Sequence, residues 1–329
     1  MLRKRPRRGE RTMESPATAR LREAVASGNV KLVRELIREG ASVNHMDPNG
    51  WTLLHLAASR GKERTLRVLL EKGGDAFARD FVGGFTALHY AAMHGRTRIA
   101  KLLLDFKGLD KEKLVDARSE DGWTPLHVAA HYGRDSFVEL LLESKGYVDA
   151  LSDKGTTALQ LAIIRERTSS IKVLLNWGAN IDVQFGFPLR YAVIKGNINC
   201  VRMLVEHGAL TSIKRPEDGQ TPLHLAALRN SEPLARLLFK FGADVNVFND
   251  EGLTPLAISR MMYNVNTADK GCLENIVLIS IVPFLENPRS LQDSCRFVIR
   301  DALGARRLAE IAKLPVSNIM KDFLLYKYE

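Results

Sequence analysis

Two histidines have the spacing of a metal-binding pair. His127 and His131 are four residues apart, which places both imidazoles on one face of a helix, an arrangement that zinc sites use. No third ligand follows at a convincing spacing, and His127 ends a Thr-Pro-Leu-His phrase that recurs along the chain. We therefore favour a structural role for His127, with its ring hydrogen-bonded between neighbouring turns, and expect no metal site.

Other chemical signatures are weak. The cysteines Cys200, Cys272 and Cys295 are far apart in sequence and have no recognisable His-Asp partners, so they fit a reducing compartment and no thiol chemistry. Neither of the two glycine-rich phosphate loops, GxGxxG and GxxxxGK[ST], is present. We expect no catalytic residue, no cofactor and a protein that is not an enzyme.

The recurring phrase organises most of the chain. It returns at a period near 33 residues, with less regular copies at Ala19–Arg22 and Phe187–Arg190. The regular copies start at Thr52, Thr86, Thr124, Thr157, Thr221 and Thr254. Threonine caps a helix, proline suits its first position, and a glycine about nine residues on ends it before a second apolar run. One such unit cannot bury its own apolar face, so the units must stack.

The pattern predicts an all-α repeat solenoid of about eight units over residues 15–265, with degenerate terminal units. Two spacings deviate. A charged insertion is expected near Lys107–Lys113, and the turn around Gln184–Gly186 should be truncated.

These features resemble the ankyrin repeat, through the TPLH phrase, the period and the Gly-Ala ending. The resemblance implies units of two antiparallel helices with a short β-hairpin. It also implies that partners are bound on the concave face, by residues before the phrase and at the ends of the first helices. Here those residues are Trp51, Arg60, Phe85, His94, Trp123, Tyr132, Arg165, Lys195 and Arg229.

Two interpretations of these residues stay open. The aromatic residues either cover the adjacent helix or anchor an interface, where large aromatics are enriched. The cations form either a solvated face or a basic stripe that receives an acidic segment of a protein substrate.

A second helical pattern begins at Pro288. From spacing alone it could be a cap on the repeats. The segment Ser290–Ile299 resembles an elongin-binding box, and residues 287–329 resemble a SOCS box, after a connecting segment at 266–286. The resemblance implies that Leu291, Cys295, Val298 and Ile299 contact elongin C. It implies that Leu314, Pro315 and Val316 contact cullin-5, although Ser317 stands where the family has proline.

Ankyrin repeats followed by a SOCS box resemble the ankyrin-repeat and SOCS-box family. That resemblance implies a substrate-recognition subunit that joins elongin B, elongin C, cullin-5 and its RING partner, for ubiquitination and degradation of a bound protein. The alternative is an ankyrin scaffold whose C-terminal helices only cap the stack.

The net charge of +10 is unevenly distributed. Half of it lies in residues 1–11, within a basic tail at 1–14 that is either a disordered segment or a nuclear import signal. The rest of the chain is nearly balanced, which favours an acidic protein segment over nucleic acid as partner. We expect a cytoplasmic and/or nuclear protein with no membrane partner.

Overall fold

A computed structural model describes residues 15–265 of the chain, which hold sixteen helices in two compact units divided after Trp177. The first unit contains α1 (Pro16–Ser27), α2 (Val30–Arg38), α3 (Leu53–Arg60), α4 (Glu63–Glu71), α5 (Ala87–Met93), α6 (Thr97–Asp105), α7 (Lys111–Val115), α8 (Pro125–Tyr132), α9 (Asp135–Glu143), α10 (Ala158–Ile164) and α11 (Thr168–Asn176). The second contains α12 (Val183–Lys195), α13 (Ile198–Glu206), α14 (Pro222–Leu228), α15 (Glu232–Lys240) and α16 (Pro255–Val265).

Each unit is a stack of helix pairs. In the first unit the first helices α1, α3, α5, α8 and α10 pack side by side, and α2, α4, α6, α9 and α11 form a second row behind them. In the second unit α12, α14 and α16 pack in the same way, with α13 and α15 behind. The first helices approach closely because paired alanines such as Ala57-Ala58 and Ala129-Ala130 are fully buried between them. The expected all-α repeat fold is confirmed.

In four of the repeats a buried histidine contacts the repeat that follows. The Thr52 backbone N–H donates to His55 Nδ1 over 3.0 Å, and His55 Nε2 lies 2.9 Å from the Phe85 carbonyl oxygen of the following repeat. A carbonyl only accepts, so Nε2 carries the proton and the ring is neutral. His89, His127 and His224 repeat the arrangement toward the carbonyls of Trp123, Thr156 and Leu253.

The fourth regular copy of the phrase substitutes glutamine for histidine. The Thr157 N–H donates to Gln160 Oε1 over 2.8 Å, so the amide performs the capping half of the same role. The expected structural role of the TPLH histidines is therefore what the geometry shows.

The first helices end in a left-handed residue. Gly61 and Gly133 have φ of 70° and 68°, a conformation that glycine adopts without steric cost. Glu166 and Asn230 occupy the same position with φ of 55° and 53°, so the repeat tolerates other residues there.

The β-hairpins take the form of tight turns, and no strand is assigned anywhere in residues 15–265. In each turn an amide donates to a carbonyl four or five residues on, as from Ser119 N to Trp123 O over 2.8 Å. Neighbouring turns are joined by single bonds, such as Phe81 N to Asn49 O over 2.8 Å. One bond per turn is too little pairing to form a ladder.

Both expected irregularities are present. The charged insertion folds as α7, whose N-cap Asp110 accepts from Lys113 N and whose Leu114 and Val115 are buried. Near the start of α12, three residues in a row (Gln184, Phe185 and Gly186) have positive φ. This left-handed turn replaces the longer hairpin and leads directly into Phe187.

The buried histidines predict acid destabilisation. Burial lowers the pKa of His89 from 6.5 to about 4, and it also lowers the pKa of His55, His127 and His224. The unfolded chain takes up these protons near pH 6.5 and the folded chain does not. The contribution of these histidines to the free energy of unfolding is therefore complete above pH 6.5 and is lost as the pH drops toward 4. For His89 alone the loss is about 3 kcal/mol.

His89→Gln tests this directly, because glutamine at 160 already fills the equivalent place. Urea unfolding of the full chain at pH 7 and pH 4.5, followed by circular dichroism, should show a smaller loss of stability in acid for the variant. The matched control is His45→Gln, outside the repeated phrase. An acid sensitivity equal to wild type in the His89 variant would contradict this origin.

Candidate interaction surface

The aromatic residues before the repeated phrase are only half exposed, because each packs on histidine or tyrosine. The Trp51 ring lies 4.5 Å from that of Tyr90, and its Nε1 donates to Tyr90 Oη over 3.0 Å. Phe85 stacks on His89 at 5.2 Å, and Trp123 lies 5.2 Å from His131. One face of each ring thus covers its own repeat or the next, and the remainder faces solvent.

A buried carboxylate fixes this aromatic group. Asp80 accepts from Tyr90 Oη over 2.5 Å and from the backbone of Gly83 and Phe85. Burial, followed by the hydrogen bond to Asp80, raises the pKa of Tyr90, so the phenol stays protonated and donates. Trp51 is therefore held in one orientation.

The residues expected at the ends of the first helices are all exposed. In the first unit these are Arg60, His94, Tyr132 and Arg165; in the second they are Lys195 and Arg229. Lys195 Nζ lies 5.5 Å from the Tyr191 ring centroid, and Arg229 Nη1 donates to the Ile194 carbonyl. These positions are free to contact a partner on each unit.

A second row of cations lies beside them in the first unit. We call Lys62, Arg96, Arg134 and Arg167 the cation ladder. Each precedes a second helix and donates to a carbonyl at or near the end of the first helix one repeat earlier. The acceptors are the carbonyls of Ser27, Ser59, Met93 and His131, at 3.2, 3.4, 3.1 and 3.3 Å.

Glycine makes the ladder possible. A Cβ added to Gly133 would lie 2.7 Å from Arg167 Cδ, and one added to Gly61 would lie 3.1 Å from Arg96 Cδ. The arginine stems thus lie directly on the left-handed glycines. Sequence reasoning missed these cations, although the dipeptides Gly61-Lys62, Gly95-Arg96 and Gly133-Arg134 recur at the repeat period.

The ladder makes this edge of the first unit electropositive. Arg96 and Arg134 add to burial in lowering the pKa of His94, and Arg165 and Arg167 do the same for His131. Within residues 15–265 the ladder cations take no part in an ion pair. None of them is therefore in direct contact with a carboxylate of the described residues.

Residues 15–265 do not form the metal site or the thiol site considered from the sequence. His127 is engaged in the link to Thr156, and Cys200 is a buried cysteine in α13. Across residues 15–265, three or more His, Cys, Asp or Glu side chains nowhere come together as metal ligands. The helices of that same range are too short or too polar to cross a bilayer.

The expected elongin and cullin contacts lie outside residues 15–265. They are Leu291, Cys295, Val298, Ile299, Leu314, Pro315 and Val316. Their roles stay predictions from the sequence.

A sequence model of ankyrin repeats matches the chain in three copies, over residues 21–114, 107–185 and 184–249. The chain belongs to the ankyrin-repeat proteins. A model of the SOCS box matches residues 287–325, downstream of the repeats. The family resemblance drawn from the TPLH phrase and the C-terminal box is thus supported at both ends of this ankyrin-repeat protein.

The names of curated relatives include both an ankyrin repeat and a SOCS box. The human ankyrin repeat and SOCS box protein 5 is 32% identical over 156 residues, covering 46% of this chain and 43% of the relative. Human ankyrin repeat and SOCS box protein 11 is 30% identical, covering 50% and 48%, and human protein 9 is 33% identical, covering 45% and 46%. The matched region spans about half the length of each relative.

Proposed function

We propose that this ankyrin-repeat protein is the substrate-recognition subunit of a cullin-RING ubiquitin ligase. The observation that carries the proposal is the SOCS box match at residues 287–325, which follows the ankyrin repeats. In this role the repeats hold a target protein, and the SOCS box recruits elongin B and elongin C, cullin-5 and its RING partner. The target is then ubiquitinated and degraded.

The proposed mechanism is proximity. Tethering a target beside the RING-bound conjugating enzyme converts a bimolecular encounter into one at high effective concentration. No side chain of this protein then has to make or break a bond, so we propose a non-catalytic subunit that needs no cofactor. We further propose that, within the family, this protein resembles the member numbered seven, through phrases such as Gly50–His55 and Gly83–Ala92.

The elongin contact is testable by substitution. We expect Leu291→Asp combined with Cys295→Asp to abolish co-purification with co-expressed elongin B and elongin C, because a carboxylate cannot enter an apolar pocket without a large desolvation cost. Affinity purification followed by quantification of elongin C measures the loss.

The matched control is Cys272→Asp, which lies outside the matched segment and should leave elongin binding intact. Undiminished elongin binding by the double variant, or none by the wild type, would favour the alternative of a scaffold whose C-terminal helices only cap the repeats.

We propose that the substrate binds the concave face through Trp51, Phe85 and Trp123 together with the exposed ends of the first helices. Support comes from the half-exposed aromatic rings and the exposed Arg60, His94, Tyr132, Arg165, Lys195 and Arg229. The cations among them, Arg60, Arg165, Lys195 and Arg229, favour an acidic segment in the substrate.

Charge reversal tests the surface. The triple variant Arg165→Glu, Lys195→Glu and Arg229→Glu should lose the proteins captured by a Leu291/Cys295 variant, because glutamate repels an acidic segment. Quantitative mass spectrometry of the captured proteins makes the comparison, and elongin binding in an otherwise wild-type background is the control. Unchanged capture would reject the basic surface.

We propose a cytoplasmic and/or nuclear location, supported by the Arg-Lys-Arg-Pro-Arg-Arg run at residues 3–8. If that run is an import signal, removing residues 1–12 should shift a fluorescent fusion from nucleus to cytoplasm. An unchanged distribution would assign the run to a plain basic tail.

A further inference from the structure

The cation ladder has unused binding capacity. Arg96, Arg134 and Arg167 donate to helix carbonyls through Nε, which leaves the terminal nitrogens of each guanidinium for another acceptor. All three side chains belong to exposed residues, and none forms an ion pair within the described chain. When Nε is hydrogen-bonded to a helix carbonyl, the plane of the guanidinium is fixed, and its terminal nitrogens are prearranged to bind a carboxylate.

Helix dipoles add to the charge. The second helices α4, α6, α9 and α11 are each nine residues long and begin at the ladder, so their positive ends face this edge. The ladder cations also lie at the negative, C-terminal ends of the first helices one repeat earlier. Glu63 and Asp135 offset part of the field at α4 and α9, whereas α6 and α11 have no acidic residue in the first turn.

We propose that the cation ladder binds an extended acidic polypeptide segment with a carboxylate at about every third residue. Packed helices are about 10 Å apart, so the ladder offers about one cation per 10 Å. A chain in the extended polyproline II conformation advances about 3.1 Å per residue with three residues per turn, so every third side chain lies on the face toward the ladder and meets a cation. This deepens the proposed function, because it names the chemical class of substrate that the repeats receive.

The spacing favours a peptide over nucleic acid. Duplex DNA carries about one charge per 1.7 Å, far denser than the ladder. Single strands also require free aromatic faces for base stacking. Here one face of each ring is already covered, because Phe85 stacks on His89 and Trp51 and Trp123 pack against Tyr90 and His131.

The test uses the full chain and two fluorescein-labelled peptides of equal composition. One has Glu at every third position between Ser and Gly; the other has its Glu residues contiguous. Fluorescence polarisation at low salt should show tighter binding of the periodic peptide, weakening with added salt. Equal or tighter binding of the contiguous peptide would contradict the spacing.

Three triple variants distinguish the effect of the ladder charges from the effect of the hydrogen bonds that the ladder makes to helix carbonyls. Arg96→Gln, Arg134→Gln and Arg167→Gln together should weaken periodic-peptide binding about tenfold. The same three positions changed to Lys should bind within about threefold of wild type, since Lys62 already donates from the equivalent place. The matched control changes Arg67, Lys101 and Lys172 to Gln, exposed cations of α4, α6 and α11 that are not in the ladder.

Equal losses in the Gln ladder variant and the control would show non-specific attraction and overturn the proposal, as would tighter binding of a single-stranded RNA than of the periodic peptide. Elongin B and elongin C co-purification is measured on the same variants and should not change. A wild-type protein that binds elongin C but not the periodic peptide would overturn this proposal alone, and one that binds the peptide but not elongin C would overturn the proposed function alone.

Discussion

The neutral, buried histidine is the interaction on which the rest of the structure depends. Its Nδ1 caps its own helix and its Nε2 donates to the next repeat, as His55 does toward Phe85. A ring with one donor and one acceptor matches this double role, and a charged ring would lose the acceptor. Because the link recurs at His89, His127 and His224, it sets the register in which the repeats on either side of each histidine stack.

Because the repeats stack in this register, side chains that recur at the repeat period line up in rows. Residues before the phrase form the half-exposed aromatic row, anchored by Tyr90 and Asp80. Residues after the left-handed glycine form the cation ladder, because the ends of the first helices leave carbonyls that need donors. The arginines that satisfy those carbonyls keep their terminal nitrogens at the surface. Structural capping and binding capacity therefore arise from the same side chains.

The two modules have separate physical tasks in the proposed ligase subunit. The repeats present a rigid surface, since their polar links and alanine contacts are buried. In that proposed role, residues 287–325, which match the SOCS box, are the part that attaches to the ligase. Selectivity then depends on which segments fit the repeat surface, and the chemistry belongs to the assembled partners.

The sequence by itself determined the repeat family, the helix starts, the structural role of the TPLH histidines and the two irregular repeats. Each of these depends on local chemistry: a cap, a left-handed glycine or an apolar period. The expected β-hairpins proved to be tight turns that are joined to neighbouring turns by single bonds such as Phe81 N to Asn49 O, because strand pairing depends on neighbouring repeats. Only the tertiary structure revealed the cation ladder. Lys62, Arg96, Arg134 and Arg167 acquire their role from carbonyls 35 to 41 residues earlier, and packing between repeats alone brings those groups together.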